Sequence, residues 1–405
     1  MHTERTTDFW LQPAEQDWRP RPTLTGRDHT SFEVWDQERE RIWWGDWVAF
    51  GRSEEVAAPG DYVVRDVAGE SVFVVRNAEG RVNGFYNVCS HRGTKFLADE
   101  DHGNRRKAFT CPYHAWTYDL DGRLIGTPNV QENELFDRSS YPLHPVAVDE
   151  YAGFVFVNLA DRPRPLMESL TQGTESMTAF ERFAMQDLRI GVRIVYEVEA
   201  NWKIIVENYN ECLHCPTVHP ELVKVVPLFR FGEVWDDEMR DGGNAMVEGA
   251  TSFTIQGRSE LPTLPGLLPE DLGRYYGSYQ FPNLMLNLHP DAAMYYLALP
   301  RGPGHTTVIS EYLFRPETIA AADFRPEPVV ELWDLISKQD WAVCERQQEG
   351  TRSRSYVPGR YSLMEDMVHA FDLMVADGYA DDGRRTRFEP RHDKWATAPR
   401  RSRAG

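Results

Sequence analysis

Two short motifs, each combining one cysteine with one histidine, constrain this chain more than any other feature. Cys89-Ser90-His91 has the spacing C-x-H, and Cys111-Pro112-Tyr113-His114 has the spacing C-x-x-H. Short apolar runs and turn signals surround them from about residue 60 to 160, and this texture predicts a small all-β domain. Two thiols and two imidazoles held in such a domain indicate a metal site.

The spacing distinguishes two kinds of metal site. Structural zinc more often uses two closely spaced cysteines followed by two closely spaced histidines. Here each loop offers one sulfur and one nitrogen, so that two matching loops can hold two iron ions, one by thiolates and one by imidazoles. Gly93 permits a tight turn, and Trp116 and Tyr118 supply aromatic cover against solvent. A [2Fe–2S] cluster is therefore favoured, with zinc as the alternative.

The composition excludes several partners. The 405 residues include 44 basic and 63 acidic side chains, a net charge of −19, which argues against nucleic acid or an anionic membrane as partner. No stretch has the roughly 18 to 20 apolar residues of a membrane span, and the N-terminal MHTERTTDFW lacks the apolar core of a signal peptide. We therefore expect a cytoplasmic protein, whose five cysteines are thiols or metal ligands in preference to disulfides.

A second group of potential ligands lies in NWKIIVENYNECLHCPTVHP, residues 201–220. If residues 202–215 form one helix, Glu207, Glu211 and His214 share one face at about 100° per residue. An ordinary amphipathic helix with solvated acids would show the same pattern.

His219 favours a metal site over that alternative. On a straight helix His214 and His219 would lie about 140° apart and could not bind one ion. Pro216 would break the helix and let the two imidazoles converge. Cys212 and Cys215 are better interpreted as packing residues than as metal ligands.

A carboxylate would complete the facial triad of a non-haem Fe(II) site. The candidate lies in VVELWDLISKQDWAVCERQQEG, which predicts a long helix over residues 327–349. Asp340 lies in the middle of an apolar stripe, where an acid is costly unless it is paired, hydrogen-bonded or bound to metal. The stripe consists of Val329, Trp333, Ile336, Val343, Cys344 and Gln347. Asp340 is therefore the predicted third ligand.

Several of these segments resemble one protein family. CSHRG and CPYHAWTYDLDGRL resemble the Rieske domain of aromatic-ring-hydroxylating and related oxygenases, ENYNECLHCPTVHP resembles their mononuclear-iron motif, and QDWAVCERQQEG resembles the segment that bears their carboxylate ligand. Respiratory-chain Rieske proteins have an extra cysteine in each loop, whereas the corresponding residue of the first loop here is Thr94. This difference favours the oxygenase branch. The resemblance implies a [2Fe–2S] cluster on Cys89, His91, Cys111 and His114, and Fe(II) on His214, His219 and Asp340.

The resemblance also implies how electrons reach the iron. Glu211 would link the two metal centres between neighbouring subunits of a head-to-tail homotrimer, where it would meet His114 of the next chain. Most members of the family have aspartate at this position, and glutamate within E-C-x-H-C resembles the branch that acts on betaines, carnitine and choline. The sequence contains no flavin or nicotinamide fingerprint, so a separate NAD(P)H-dependent reductase, with or without a ferredoxin, is expected to supply electrons.

The predicted fold is α+β. We expect an N-terminal helical segment (1–45) that packs on the catalytic domain, a small all-β Rieske domain (46–163), and a larger catalytic domain (164–405) with an antiparallel sheet and helices of the helix-grip type. In the larger domain, SFTIQG, LMLNLHP, AMYYLALP and HTTVISEYLF are the predicted strands.

Three functions are compatible with these patterns. The catalytic domain is rich in aromatic residues that could enclose a quaternary ammonium or a planar ring, although each alone would also suit an ordinary core. Hydroxylation or oxidative N-demethylation of a small betaine-like cation is favoured over ring hydroxylation of an aromatic acid. A non-enzymatic iron–sulfur electron carrier would leave the second group of ligands unused. The aromatic residues are Trp235, Phe253, Tyr275, Tyr276, Tyr279, Phe281, Tyr295 and Tyr296.

Overall fold

The computed structural model describes residues 24–128, 130–133, 135–170, 177–232 and 243–380. Its first elements are two short helices, α1 (Gly26–Thr30) and α2 (Phe32–Glu38), and α2 continues into a π-helical turn at Arg39–Trp43. Within the predicted N-terminal helical segment (1–45), residues 26–43 are therefore mostly helical. Residues 1–23 of the predicted N-terminal segment lie outside the described residues.

The first large sheet is antiparallel and has the strand order β1-β10-β9-β4-β3-β2-β5. The strand FVFVN (154–158) is buried at every position, and the strand ESVFVVR (70–76) is buried at four consecutive positions, as expected for strands covered on both faces. The strands are β1 (Val48–Arg52), β2 (Asp61–Val67), β3 (Glu70–Arg76), β4 (Val82–Tyr86), β5 (His102–Asn104), β9 (Pro145–Tyr151) and β10 (Phe154–Asn158). The prediction of an all-β region is confirmed.

A small three-stranded sheet covers one side of this region. It contains β6 (Ala108–Thr110), β7 (Thr117–Asp119) and β8 (Leu124–Gly126), in the order β6-β7-β8. Gly122 has a φ of 78°, and its N–H donates to the carbonyl of Asp119 at 3.0 Å, which closes the turn between β7 and β8. A hairpin therefore connects β7 and β8.

The second large sheet is antiparallel, with the order β11-β16-β15-β14-β13-β12. Its strands are β11 (Arg189–Val198), β12 (Gly243–Ala245), β13 (Arg274–Gln280), β14 (Leu284–His289), β15 (Ala292–Gly302) and β16 (His305–Phe314). Three of the four predicted strands are confirmed. The prediction for SFTIQG was wrong: Gly257 takes a φ of 69° and closes a turn, in which its N–H donates to the carbonyl of Thr254 at 2.9 Å.

Helices cover this second sheet. They are α3 (Leu166–Leu170), α4 (Trp202–Tyr209), α5 (Cys215–Val218), α6 (Leu222–Val225), α7 (Pro316–Ile319), α8 (Glu327–Thr351) and α9 (Asp366–Ala380). Short 3₁₀ turns lie at Ser53–Val56, Arg138–Ser140, Met177–Phe183, Met185–Asp187, Pro227–Phe231, Pro269–Gly273 and Leu363–Glu365. The 25-residue α8 packs against α4 and β11, which gives the α+β, helix-grip arrangement expected. No helix in the described part of the chain has the length and apolarity to cross a membrane.

The single helix predicted over residues 202–215 was wrong. Helix α4 ends at Tyr209, and Oε2 of Glu211 accepts from the backbone N–H of Leu213, which a continued helix would need for the carbonyl of Tyr209. Pro216 does not break a helix but lies in the first turn of α5, where its missing N–H costs nothing.

The two β regions contact each other directly. Asn283, at the end of the β13–β14 turn, accepts from the N–H of Ala49 and donates to its carbonyl, both at 2.9 Å. The N-terminal helices contact the region of the second sheet in a similar way, since the carbonyl of His29 accepts from Asn201 at 3.2 Å and from Gln348 at 3.1 Å. The division at residues 45/46 and 163/164 stays a prediction.

Candidate metal centres

The two cysteine–histidine loops share one backbone conformation. In the first loop the N–H of Cys89 donates to the carbonyl of Thr94 at 2.9 Å, and the N–H of Gly93 donates to that of Cys89 at 3.0 Å. The second loop repeats both bonds at the same offsets: the N–H of Cys111 donates to the carbonyl of Trp116 at 2.8 Å, and the N–H of Ala115 donates to that of Cys111 at 3.0 Å. The fifth residue of each loop has a left-handed φ, 69° for Gly93 and 57° for Ala115. The loops therefore present their side chains as a matched pair.

These loops bring the four predicted cluster ligands together. The Cys89 and Cys111 side chains are buried at 2 % exposure each, and burial raises the pKa of the Cys89 thiol. The imidazole rings of His91 and His114 lie with their centroids 4.7 Å apart, nearer the surface. Two interior sulfurs and two outer nitrogens fit a Rieske cluster, in which each pair holds one iron.

Aromatic side chains surround this site, as the sequence predicted. The Trp116 ring stacks on His91 at 4.4 Å with an interplanar angle of 9°. The hydroxyl of Tyr118 lies 3.2 Å from Sγ of Cys89 and accepts from the N–H of Ser90 at 3.1 Å. Hydrogen bonds near cluster sulfurs, and exclusion of solvent from them, are means by which a protein sets a reduction potential.

The three residues of the second predicted site also lie close together. Oδ1 of Asp340 lies 2.8 Å from Nε2 of His219 and 3.2 Å from Nε2 of His214. Ligand bonds of about 2.1 Å at right angles place two ligand atoms about 3 Å apart, so these separations fit three ligands on one face of a metal ion. His214 lies just before α5 and His219 just after it, and Asp340 lies in the middle of α8.

The electrostatics of this site favour a cation. Burial alone would lower the pKa of His214, but its hydrogen bonds to the carboxylates of Asp340 and Glu211 raise that pKa to about 10. Burial would raise the pKa of Asp340, yet its hydrogen bonds with His214 and His219 hold the pKa below its usual value. A divalent ion between these groups can take the place of the proton that they otherwise share.

Glu211 lies directly behind one histidine. Its Oε1 accepts from Nδ1–H of His214 at 2.6 Å, and its Oε2 accepts from the backbone N–H of Leu213. Glu211 reaches His214 from the loop after α4 and not from a shared helical face. Glu207 was predicted to share that face, but its Oε1 instead lies 3.1 Å from Nε2 of His29.

Cys212 and Cys215 form a disulfide, with their Cα atoms 4.9 Å apart. The expectation of free thiols was therefore wrong for this pair, because the turn between α4 and α5 brings the two side chains within bonding range. His214, Cys215 and His219 can also bring one donor atom each to within 4.8 Å of one another. A disulfide sulfur has no negative charge to offer a metal, whereas Asp340 has, so Asp340 remains the better third ligand.

A cavity opens onto the histidines and Asp340. The predicted aromatic residues Phe253, Tyr275 and Tyr279 line it, and Trp235 lies outside the described residues. The other predicted aromatics pack elsewhere: Tyr276 and Tyr295, for example, lie in a core that also includes Phe154. Sequence reasoning did not assign the wall residues Tyr209, Phe229 and Trp333 to the cavity, although Trp333 was placed on the stripe of Asp340.

The stripe on α8 is largely as predicted. Val329, Trp333, Ile336 and Cys344 are buried, and the side chain of Asp340 is 15 % exposed. Gln347 was assigned wrongly, because it is exposed and its neighbour Gln348 is buried. Over about five turns a straight 3.6-residue period drifts away from a seven-residue repeat, which accounts for an error of one residue near the end of the stripe.

Comparison with known protein families decides what kind of protein this is. Residues 46–148 match the Rieske [2Fe-2S] domain, and residues 185–381 match the catalytic domain of the ring-hydroxylating α subunit. The chain is 37% identical over 349 residues to the carnitine monooxygenase oxygenase subunit of Acinetobacter pittii, with 84% of this chain and 87% of the relative covered. The chain belongs to the Rieske non-haem iron oxygenases. It is therefore an oxidoreductase, and the alternative of a non-enzymatic electron carrier is excluded.

Other relatives of this Rieske oxygenase agree. The glycine betaine monooxygenase oxygenase subunit of Chromohalobacter salexigens is 31% identical over 359 residues, which cover 81% of this chain and 79% of the relative. The quaternary ammonium Rieske monooxygenase CntA with bound gamma-butyrobetaine is 27% identical with a TM-score of 0.69, covering 88% of this chain and 95% of CntA. Naphthalene 1,2-dioxygenase from Rhodococcus sp. shares the fold, at 21% identity, 89% and 95% coverage, and a TM-score of 0.70. The family's cofactors are a [2Fe–2S] cluster and a mononuclear iron, and both ligand sets here fit them.

Proposed function

We propose that this oxygenase acts on a small quaternary ammonium compound. The observation that carries the proposal is the aromatic wall of the cavity beside Asp340. The Phe253 ring stacks on Trp333 at 4.7 Å and packs against Tyr275 at 4.9 Å. A quaternary ammonium cannot donate hydrogen bonds, and the faces of such rings attract it by cation–π interaction.

The charges of the cavity support a cation as well. Its wall includes the carboxylates of Glu211 and Asp340, and none of the described residues that line it is a lysine or an arginine. The names of the carnitine and glycine betaine monooxygenases favour the same substrate class, and ring hydroxylation of an aromatic acid becomes the less favoured alternative.

The site residues have separate roles in this proposal. Cys89 and Cys111 hold one iron of the cluster, His91 and His114 hold the other, and His214, His219 and Asp340 hold the mononuclear iron. These metals supply electron storage and the activation of O₂. The protein orients the imidazoles, excludes bulk water from the cavity and places the substrate's methyl groups against the aromatic wall.

The overall reaction balances as a monooxygenation. One O₂, two electrons and two protons convert a C–H bond beside the cationic nitrogen into C–OH, and the second oxygen atom leaves as water. The hydroxylated carbon then loses its bond to nitrogen: the hydroxyl proton leaves, a carbonyl forms and the nitrogen keeps the electron pair as an uncharged amine. For an N-methyl group the carbonyl product is formaldehyde.

We further propose that the electrons come from a separate NAD(P)H-dependent reductase and pass between subunits of a homotrimer. Glu211 is suited to the passage, because it already bonds His214 and its side chain is 15 % exposed. Tyr113, beside His114, is 57 % exposed, so the cluster loop offers a surface to another chain. A quaternary ammonium Rieske monooxygenase is 26% identical to this chain, with a TM-score of 0.73, and its structure is said to give insights into inter-subunit electron transfer.

A coupled assay tests the substrate class. The purified oxygenase would receive a reductase, NADH and O₂, with choline, glycine betaine, carnitine or benzoate as substrate. We expect NADH-dependent O₂ uptake and an equivalent amount of aldehyde with at least one quaternary ammonium compound, and none with benzoate. Coupled uptake with benzoate, and none with the quaternary ammonium compounds, would favour the aromatic-acid alternative instead.

A further inference from the structure

Gln339 links the second iron histidine to an acid on the neighbouring segment. Its Oε1 lies 2.7 Å from Nδ1 of His219, and its Nε2 donates to Oε2 of Glu221 at 3.3 Å. Gln339 precedes Asp340 on α8, so one helical turn presents both a proposed ligand and the group that contacts another ligand from behind.

These two bonds determine the orientation of the amide. A carboxylate oxygen can only accept a hydrogen bond, so Glu221 must face the NH₂ group of Gln339. The amide oxygen then faces His219, and because it too can only accept, Nδ1 of His219 must carry the hydrogen. This leaves Nε2, the nitrogen 2.8 Å from Asp340, as the ring atom with a lone pair for a metal.

The two iron histidines are held differently. His214 donates from Nδ1 to the charged Glu211 at 2.6 Å, whereas His219 donates to a neutral amide at 2.7 Å. A carboxylate at position 339 would face Glu221, and two such groups about 3 Å apart cannot both stay ionised. An amide avoids this repulsion, because it accepts from one neighbour and donates to the other.

We propose that Gln339 is a positioning residue that fixes the tautomer and ring orientation of His219 for metal binding, with Glu221 as its anchor. The role rests on the proposed iron site, in which His219 is a ligand. Loss of a residue that hydrogen-bonds a ligating histidine from behind typically weakens metal binding 10- to 100-fold. Neither Gln339 nor Glu221 contacts the metal itself in this arrangement.

Metal binding tests the proposal without turnover. Protein with its cluster intact and its mononuclear iron removed would be titrated with Co²⁺, and both the dissociation constant and the visible Co²⁺ spectrum would be recorded. We expect Gln339→Leu to raise the dissociation constant about 10- to 100-fold and to change the spectrum. Gln347→Leu, an exposed position on the same helix, is the matched control and should change neither.

Two further variants separate positioning from general damage. Glu221→Leu should weaken binding by a few-fold and add nothing in the Gln339→Leu background, because both changes break one chain of hydrogen bonds. Gln339→Glu combined with Glu221→Gln exchanges donor and acceptor while keeping the charge, so it should restore much of the affinity. Wild-type affinity and spectrum in Gln339→Leu would overturn the role. Absence of Co²⁺ binding in the wild-type protein would instead overturn the iron site itself.

Discussion

Nε2 of His219 lies 2.8 Å from Oδ1 of Asp340, although 121 positions separate the two residues in the sequence. The contact joins the short helix α5 to the middle of the long helix α8. His219 is 1 % exposed, and an imidazole and a carboxylate in such a place need each other or a shared metal to offset their burial. The packing of α8 therefore brings the acid to the two histidines that flank α5.

The first prediction is that Asp340→Ala removes the mononuclear iron and with it all oxygenation. The two histidines alone leave the ion without a charged ligand, so iron per chain should fall from about three to about two. Metal analysis and the visible spectrum of the cluster would be measured together, with the exposed Glu349→Ala as control. An Asp340→Ala protein with full iron content and activity would show that another acid is the ligand.

The second prediction concerns the cluster. His91→Cys should replace an imidazole by a thiolate, which lowers the reduction potential and moves the visible and EPR spectra away from the Rieske type. The mononuclear site should keep its iron, since the change lies in the other domain. A spectrum identical to that of the wild type would mean that His91 is not a cluster ligand.

The cluster loops could be predicted because their geometry is local. Each is closed within six residues by its own backbone bonds, so the spacing of Cys89 and His91 specifies where both side chains point. Asp340 could be predicted for a different reason, namely the cost of an acid in an apolar stripe. Both inferences need only the sequence and one physical rule.

The connection between α4 and α5 could not be predicted in this way. A period of 3.6 residues continues through residues 202–215, but the side chain of Glu211 accepts from the N–H of Leu213 and replaces a helical backbone bond by a turn. The disulfide between Cys212 and Cys215 depends on that turn, and so does the position of Glu211. Gln339 could not be recognised either, because its partners come from distant segments.

A third prediction tests the aromatic wall. Phe253→Leu keeps the side chain apolar but removes the ring, so KM for a quaternary ammonium substrate should rise about 5- to 30-fold, equivalent to about 1–2 kcal/mol of cation–π attraction. Binding of a neutral isostere, in which carbon replaces the nitrogen, should change much less. Phe314→Leu, a buried ring outside the cavity, is the matched control for lost packing. Equal losses for the cation and its isostere would argue against a cation–π role.

A fourth prediction tests the route between subunits. A cluster-deficient His91 variant and an iron-deficient His214 variant, each inactive alone, would be co-assembled into mixed trimers. If electrons cross between chains, about one interface in four pairs an intact cluster with an intact iron site, so about a quarter of wild-type turnover should return. Mixed trimers without activity would indicate that each chain uses its own cluster.

The last prediction is that Glu211 serves electron transfer more than metal binding. Its Oε1 accepts from Nδ1–H of His214 at 2.6 Å, so its charge holds the imidazole whose other nitrogen faces the metal. Glu211→Gln keeps the volume of the side chain but removes the charge that would orient His214 and, across the trimer interface, His114. Iron content and the cluster spectrum should survive, while reoxidation of the reduced cluster slows at least about tenfold, equivalent to roughly 1.4 kcal/mol on the barrier.

Stopped-flow mixing of pre-reduced protein and substrate with O₂ measures this rate, with the exposed Glu349→Gln as control. Reoxidation at the wild-type rate in an iron-replete Glu211→Gln protein would show that the link between the centres runs through other residues.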